Sequence, residues 1–519
     1  MLLLFILPIA LRLALLPRSP VPEPSGSDDF GYLLLADTLL QGRLANPPHP
    51  LSRFFETIFV LQQPTYSSMF SLGQGLLLAF GTLVFRTPWA GVLVSIGALC
   101  SLCYWMLRAW ISPGWALLGG LLAVITFGPL SYWTNCYWGG AIAACAGCLI
   151  FGALPRLHKQ PSLRNGALLG IGFGAHLLTR PFESILLLIT VALYFALVWR
   201  SGWGRCLAPL AAASVFVSAA LLLIGFQNKQ VTGLWTATPY MLYRYQYGVP
   251  ATFTFQSNAA PHHPLTSDQE LDYRAETAIH GEGPETASKY FRRLLFRLRF
   301  LRFFLLAPLY SAALMFLLTV KDRRSIWVIA AIAVFAFGSN FFPYFYPHYA
   351  AAVTCLLLFI AVSGLARLSA FKLVGRQPGP ALVYVIVLLC ASHFLFWYGL
   401  HASAAPSTRA RLSVYDGWDF INYGDPEHRI AIARQLAQMP GPQLVIVHYG
   451  PRHGFHQWIH NAAEIDSAHV VWARDLGAAE NQALLDYYPK RTVWLLNPDA
   501  WTPRLVPYAP ATKNFESVP

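Results

Sequence analysis

Two adjacent carboxylates, Asp28 and Asp29, stand in "PSGSDDFGYLLLADTLLQGR", a polar stretch directly after an apolar N-terminus. Two kinds of chemistry fit them. In the first turn of a helix capped by Ser27 and ended by Gly42, both acids complement the positive end of the helix dipole. At a membrane surface, a carboxylate also takes the proton from an attacking hydroxyl. Arg180 and Glu183, three residues apart in "HLLTRPFES", form either a structural ion pair or a phosphate-binding cation beside its counter-charge. His348 in "NFFPYFYPHY" reads as an interfacial histidine or as a phosphate contact, with Tyr346 two residues before it. Trp138 in "SYWTNCYWGG" and Tyr66 in "QQPTYSS" supply aromatic faces for a sugar or for a membrane belt. Arg293, within "KYFRRLLFRLRFLRFF", either snorkels or meets a lipid phosphate. His453, His456 and His460 share a helical spacing, but no carboxylate or Cys stands beside them, and no metal is expected there.

The elements that must hold these residues are apolar. Of 519 residues, 55% are hydrophobic and only 12% charged. Soluble domains carry about 25% charged residues, so the chain reads as a multi-pass membrane protein. Its net charge of +13 lies mostly in short loops between apolar runs, which is membrane orientation and not nucleic-acid binding. The eight cysteines all precede residue 391, and "CSLC" and "CAGC" lie inside apolar runs. They read as small packing residues, not as a disulfide framework or a metal site.

Apolar runs near 2–17, 89–107, 114–131, 140–154, 166–180, 184–199, 208–226, 301–320, 326–343, 350–366 and 381–400 predict about eleven spans. The first is shorter than the roughly 20 residues a bilayer needs; it reads as a retained span, with helical neighbours or a late start explaining its length. With the N-terminus inside, the inner connectors hold Arg108; Arg156, Lys159 and Arg164; Arg200 and Arg205; Lys321, Arg323 and Arg324; then Arg367, Lys372 and Arg376. Every one satisfies the positive-inside rule. Residues 69–85 then read as a helix in the outer interface, since a further span would invert this order. Residues 18–88 form a first outer loop with interfacial helices, and 227–300 a second, larger one. A transmembrane domain of residues 1–400 is followed by an outer α/β domain of 401–519, in which three strands alternate with helices.

Asp28 and Asp29, 131–140, 176–184, 228–248 and 340–349 all fall at outward ends, whereas the inward ends carry only basic anchors. An outer cavity with acids, an arginine, a histidine and aromatic rings suits sugar transfer from a lipid phosphate. A lipid-linked-sugar transporter or flippase is the alternative; it would show internal repeats and mid-membrane charges, which this sequence lacks.

The acidic pair after the first span, "QQPTYSSMFSLGQG", "TRPFE", "PHYAAA" and the outer C-terminal domain together resemble the GT-C superfamily of membrane glycosyltransferases. The similarity is to the branch with protein O-mannosyltransferases, aminoarabinose transferases and lipopolysaccharide-core sugar transferases. It implies a polyprenyl-phosphate-linked donor, inversion, and Asp28 or Asp29 as base or acceptor-orienting acid. Donor phosphate is then expected at Arg180, His348 and Arg293, and Tyr66, Trp138, Glu183 and Tyr346 would line the cavity. Several members carry a second acid after the third span, where this chain has Asn135. That leaves Asp28 and Asp29 as the acids nearest the reaction and leaves a divalent metal without a second acidic motif, so no cofactor is expected. Partners are the donor, membrane lipids and an acceptor that is a glycan, lipid or protein. The setting implied is the outer face of a bacterial cytoplasmic membrane.

Overall fold

Long runs of Leu, Ala, Ile, Phe and Gly close their backbone hydrogen bonds within helices, the cheapest solution in hydrocarbon. The computed structural model describes residues 1–24, 26–199, 203–372, 376–403, 405, 408, 411, 428–451, 453–454 and 457–509. The first half contains α1 (Leu2–Ala14), α2 (Ser27–Leu40), α3 (Leu72–Phe85), α4 (Pro88–Leu107), α5 (Pro113–Phe127), α6 (Tyr132–Asn135), α7 (Ala141–Lys159), α8 (Leu163–Thr179) and α9 (Pro181–Leu197). There follow α10 (Leu207–Thr232), α11 (Pro239–Tyr247), α12 (Ser267–His280), α13 (Ala287–Arg297), α14 (Leu301–Phe304), α15 (Leu309–Leu318), α16 (Arg323–Ser339), α17 (Thr354–Ser369) and α18 (Gly379–Ser403). A 3-10 segment, Pro347–Val353, leads into α17.

Every predicted apolar run is helical, with 301–320 alone among them split into two helices, α14 and α15, and the protein is a multi-pass membrane protein. Five helices, α4, α7, α10, α17 and α18, are long and apolar enough to cross a membrane when the adjoining 3-10 turns are counted. The other six runs form helices of 10 to 17 residues, shorter than the full spans expected. The run at 301–320 departs most: residues 287–304 and 309–318 are bent by 117°. Pro308 stands at the break, where its ring disfavours helical backbone in the residue before it. α3 stays at one end of the helix layer, because Gly73 abuts Thr179 and Gly81 abuts the start of α4 at Gly91.

Beyond residue 428, α19 (Arg429–Gln438) and α20 (Ala478–Tyr487) flank a sheet of β3 (Gln443–Val447), β4 (Val470–Arg474), β5 (Thr492–Leu496) and β6 (Leu505–Pro507), ordered β4-β3-β5-β6. β3 pairs parallel with β4 and β5, and β6 is an antiparallel edge. The three expected strands are present. β6, three residues ending in Pro507, was too short to show a pattern. One sheet face packs Leu444, Ile446, Val471 and Ala473 against Phe54, Phe55 and Val60 of the first loop, where β1 (Val60–Leu61) pairs with β2 (Ser67–Ser68). The other face covers Trp458, Ile432 and Leu436.

Candidate active site

The polar ends of α2, α8, α10 and α16 and the loop before α7 meet around one cavity of about 520 Å³. Its wall holds Asp28, Trp138, Arg180, Glu183, Tyr346 and His348. Six of the nine residues expected at the site are thus together. The convergence follows from orientation, since helices that place their polar ends at one membrane face must bring those ends to one level.

The two aspartates divide their duties. α2 starts one residue earlier than expected, with Gly26 at its N-cap. Asp29 is buried; its Oδ1 accepts the Tyr137 backbone N–H at 2.8 Å and its Oδ2 accepts that of Gly26 at 3.4 Å. It fixes the helix start and ties it to the segment bearing Trp138. Asp28, one position earlier, is half-buried and faces the cavity. Burial and then the charge of Asp29 push its carboxyl up to about 7, although Arg180 opposes the shift.

Arg180 closes the turn between α8 and α9. Ser184 Oγ donates to the Arg180 carbonyl at 2.9 Å and therefore accepts from His176 Nδ1 at 2.7 Å. This lock holds the Arg180 backbone while the guanidinium lies over the Tyr349 ring, Cζ 4.9 Å from its centroid. Among the described residues no ion pair within hydrogen-bonding reach joins Arg180 to Glu183, but the two charges interact across the cavity. His348 is buried in an aromatic nest: Tyr132 Oη lies 3.1 Å from Nδ1, Trp138 meets its ring edge-on at 4.9 Å, and Tyr346 stacks at 5.6 Å.

Three expected residues lie elsewhere. Asp29 is the anchor just described. Tyr66 is buried towards the C-terminal sheet, where its Oη donates to the Asn461 carbonyl at 3.0 Å. Arg293 pairs with Glu285 at 2.8 Å and donates to the Asn340 carbonyl at 2.9 Å. One helical turn on, Arg297 donates to the carbonyls of Ser339, Phe342 and Pro343. Both arginines satisfy the carbonyls left over at the end of α16, and the face that looked ready for phosphate is occupied by the protein itself.

Asp28 is not the only acid available. α12 brings Asp272 and Glu276 to the cavity, and α11 brings Arg244 and Tyr240. Burial pushes Glu276 up to about 7 and Asp272 well above the carboxylate range, each raised further by the other acids. Two acids spaced i,i+4 repel on a helix face, a signal present in "DQELDYRAE" and passed over. Among the described residues no group of three or more His, Cys, Asp or Glu is arranged to hold a metal. Of the three histidines, His456 lies outside the described residues, His453 bonds Asp499 at 2.7 Å and His460 stacks on Phe30 at 3.3 Å.

No family model and no curated protein sequence matches the chain. Solved structures do. The aminoarabinose transferase ArnT from Cupriavidus metallidurans aligns with a TM-score of 0.51 at 13% identity, covering 95% of this chain and 92% of that one, both in the apo state and bound to undecaprenyl phosphate. The fold is similar to that of this transferase. The Archaeoglobus fulgidus oligosaccharyltransferase, in complex with Zn and sulfate, gives the same score and identity over 95% of this chain and 67% of its own. Within this fold the acidic α2 start, the α8–α9 turn and the segment before α17 supply the cavity wall.

Proposed function

We propose that this GT-C protein transfers a sugar from a polyprenyl-phosphate donor to an acceptor at the outer face of a bacterial cytoplasmic membrane, with the N-terminus inside. The reading is carried by one observation: Asp28 and Arg180 face the same cavity, Asp28 beside the Asp29 tie to Tyr137 and Arg180 in a turn held by Ser184. The acceptor hydroxyl attacks the anomeric carbon, its proton passes to the Asp28 carboxylate, and the bond from that carbon to the phosphate oxygen breaks. In-line attack inverts the anomeric centre. Arg180 neutralises the departing polyprenyl phosphate, since fixed cations stabilise charge that develops as the bond breaks. His348, Trp138 and Tyr346 form an aromatic wall for the sugar, and Glu183 holds the charge of the Arg180 region in balance. The scheme uses no cofactor, and EDTA is expected to leave transfer unchanged.

The test is label transfer in membranes from a panel of undecaprenyl-phosphate sugars, comparing wild type with Asp28→Asn and Arg180→Ala. Loss of transfer in both variants, with the protein still folded, supports the assignment. Full activity in Asp28→Asn removes Asp28 as base. Movement of lipid-linked sugar across vesicles without product would replace the enzyme by a transporter.

A further inference from the structure

The cavity holds more polar capacity than a phosphate and a proton transfer require. Asn228 at the end of α10, Asp272 on α12 and Ser339 at the end of α16 line it from three elements, each with relative exposure of 8% or less. Asn228 Oδ1, Asp272 Oδ2 and Ser339 Oγ have no hydrogen-bond partner among the described residues. Leaving such atoms buried and unpaired is costly, so their convergence on one cavity points to a ligand. The Asn228 amide orientation is fixed, because its Nδ2 donates to the Trp235 carbonyl at 2.9 Å. Asn228 Oδ1 is therefore an acceptor, and the Asp272 carboxyl and the Ser339 hydroxyl can each accept or donate. Phosphate oxygens cannot satisfy the fixed Asn228 acceptor; hydroxyl groups, which both donate and accept, can satisfy all three. Glu276, one turn from Asp272, spends Oε2 on the Ala251 N–H at 2.8 Å, which holds its carboxylate in place on the same wall.

We propose that Asn228, Asp272, Glu276 and Ser339 form a subsite that recognises the hydroxyl groups of a sugar. The subsite rests on the glycosyl-transfer reading and specifies where the polyol part of a substrate lies, apart from the phosphate at Arg180. Carboxylates one helical turn apart grip neighbouring hydroxyls of a ring, and the rigid amide of Asn228 sets which face of the ring enters. The same hydroxyl chemistry belongs to a donor sugar or to a sugar acceptor.

The experiment measures quenching of tryptophan fluorescence in the full chain, purified in lipid nanodiscs. The probes are undecaprenyl phosphate, undecaprenyl phosphate carrying glucose, mannose or arabinose, and the free methyl glycosides of those sugars. Wild type should bind at least one sugar-bearing probe, either more tightly than the bare lipid or as a free glycoside beside saturating bare lipid. Asp272→Ala and Asn228→Ala should lose at least tenfold in that binding while undecaprenyl phosphate affinity stays within twofold, which also shows that they fold. Asp272→Asn, which keeps an acceptor oxygen, should recover most of the loss. Loss confined to the sugar-bearing lipids assigns the subsite to the donor, and loss confined to free glycosides beside the bare lipid assigns it to the acceptor. Unchanged sugar binding in both alanine variants, or no sugar binding by wild type, overturns the subsite. Failure of undecaprenyl phosphate to bind overturns the donor reading instead, and the free glycosides still judge the subsite.

Discussion

Asp28 and Asp29 are one peptide bond apart and do different work, and substitution should separate them. Asp29→Asn keeps an acceptor for the Tyr137 N–H but weakens the tie to Gly26. It should cost about 1 kcal/mol in thermal denaturation and leave most of the transfer rate. Asp28→Asn should leave the melting temperature nearly unchanged and lower transfer by about 100-fold or more, the usual contribution of a general base. The pH profile carries a second prediction. A base works only when ionised, and burial beside Asp29 has pushed Asp28 up to about 7. Transfer should therefore rise through neutral pH to a plateau above it and fall on acidification. An unperturbed carboxylate would keep the rate flat down to about pH 5; a flat profile would contradict the assignment.

At the scale of elements, the cavity wall depends on close helix approaches. Gly147 of α7 lies against the segment carrying His348, and a Cβ there would come within 1.9 Å of the Ala352 carbonyl oxygen. Gly147→Ala must push the Pro347–Val353 turn away, so it should lower transfer at least tenfold and lower the melting temperature. The arginines of α13 act on the same segment. Arg297→Ala would leave the buried Pro343 carbonyl without its donor and the Ser339 carbonyl with only the Phe342 N–H. Charge-assisted bonds of this kind are worth about 1.5–3 kcal/mol, and denaturation should show a loss of that order. Arg293→Gln, by contrast, should not raise the KM for donor selectively, because Arg293 is committed to Glu285 and Asn340. Its basic, periodic setting made it look like a phosphate ligand. Sequence spacing places a side chain on a helix face but does not say which face meets the protein.

Across the whole molecule, the C-terminal sheet is joined to the cavity end by buried polar contacts. Arg474 of β4 pairs with Asp268 of α12 at 2.6 Å, both largely buried, and also donates to the Glu56 carbonyl at 3.2 Å. α12 is the helix that carries Asp272 and Glu276 into the cavity. Arg43 with Glu464 and His49 with Asp466 add further ties to the first loop. Breaking a buried pair from one side costs about 3–5 kcal/mol, because the remaining charge stays buried. Arg474→Ala should therefore lower thermal stability strongly and reduce transfer, although Arg474 does not line the cavity. Arg474→Lys, which keeps the charge, should recover part of both.

The sequence by itself determined the membrane class, the position of most apolar helices, the alternating strands near the C-terminus and the end of the molecule where polar chemistry gathers. These follow from local composition: hydrocarbon tolerates only runs of apolar residues, and loop charges orient them. Only the tertiary structure decided which of two neighbouring acids faces the cavity, why Tyr66 and Arg293 do not, and that α12 supplies further carboxylates. Those outcomes depend on partners 47 to 395 residues away along the chain, as with Arg293 and Asn340, Asp29 and Tyr137 or Tyr66 and Asn461. Packing between distant segments buries one polar group and exposes its neighbour, and no local pattern records that choice.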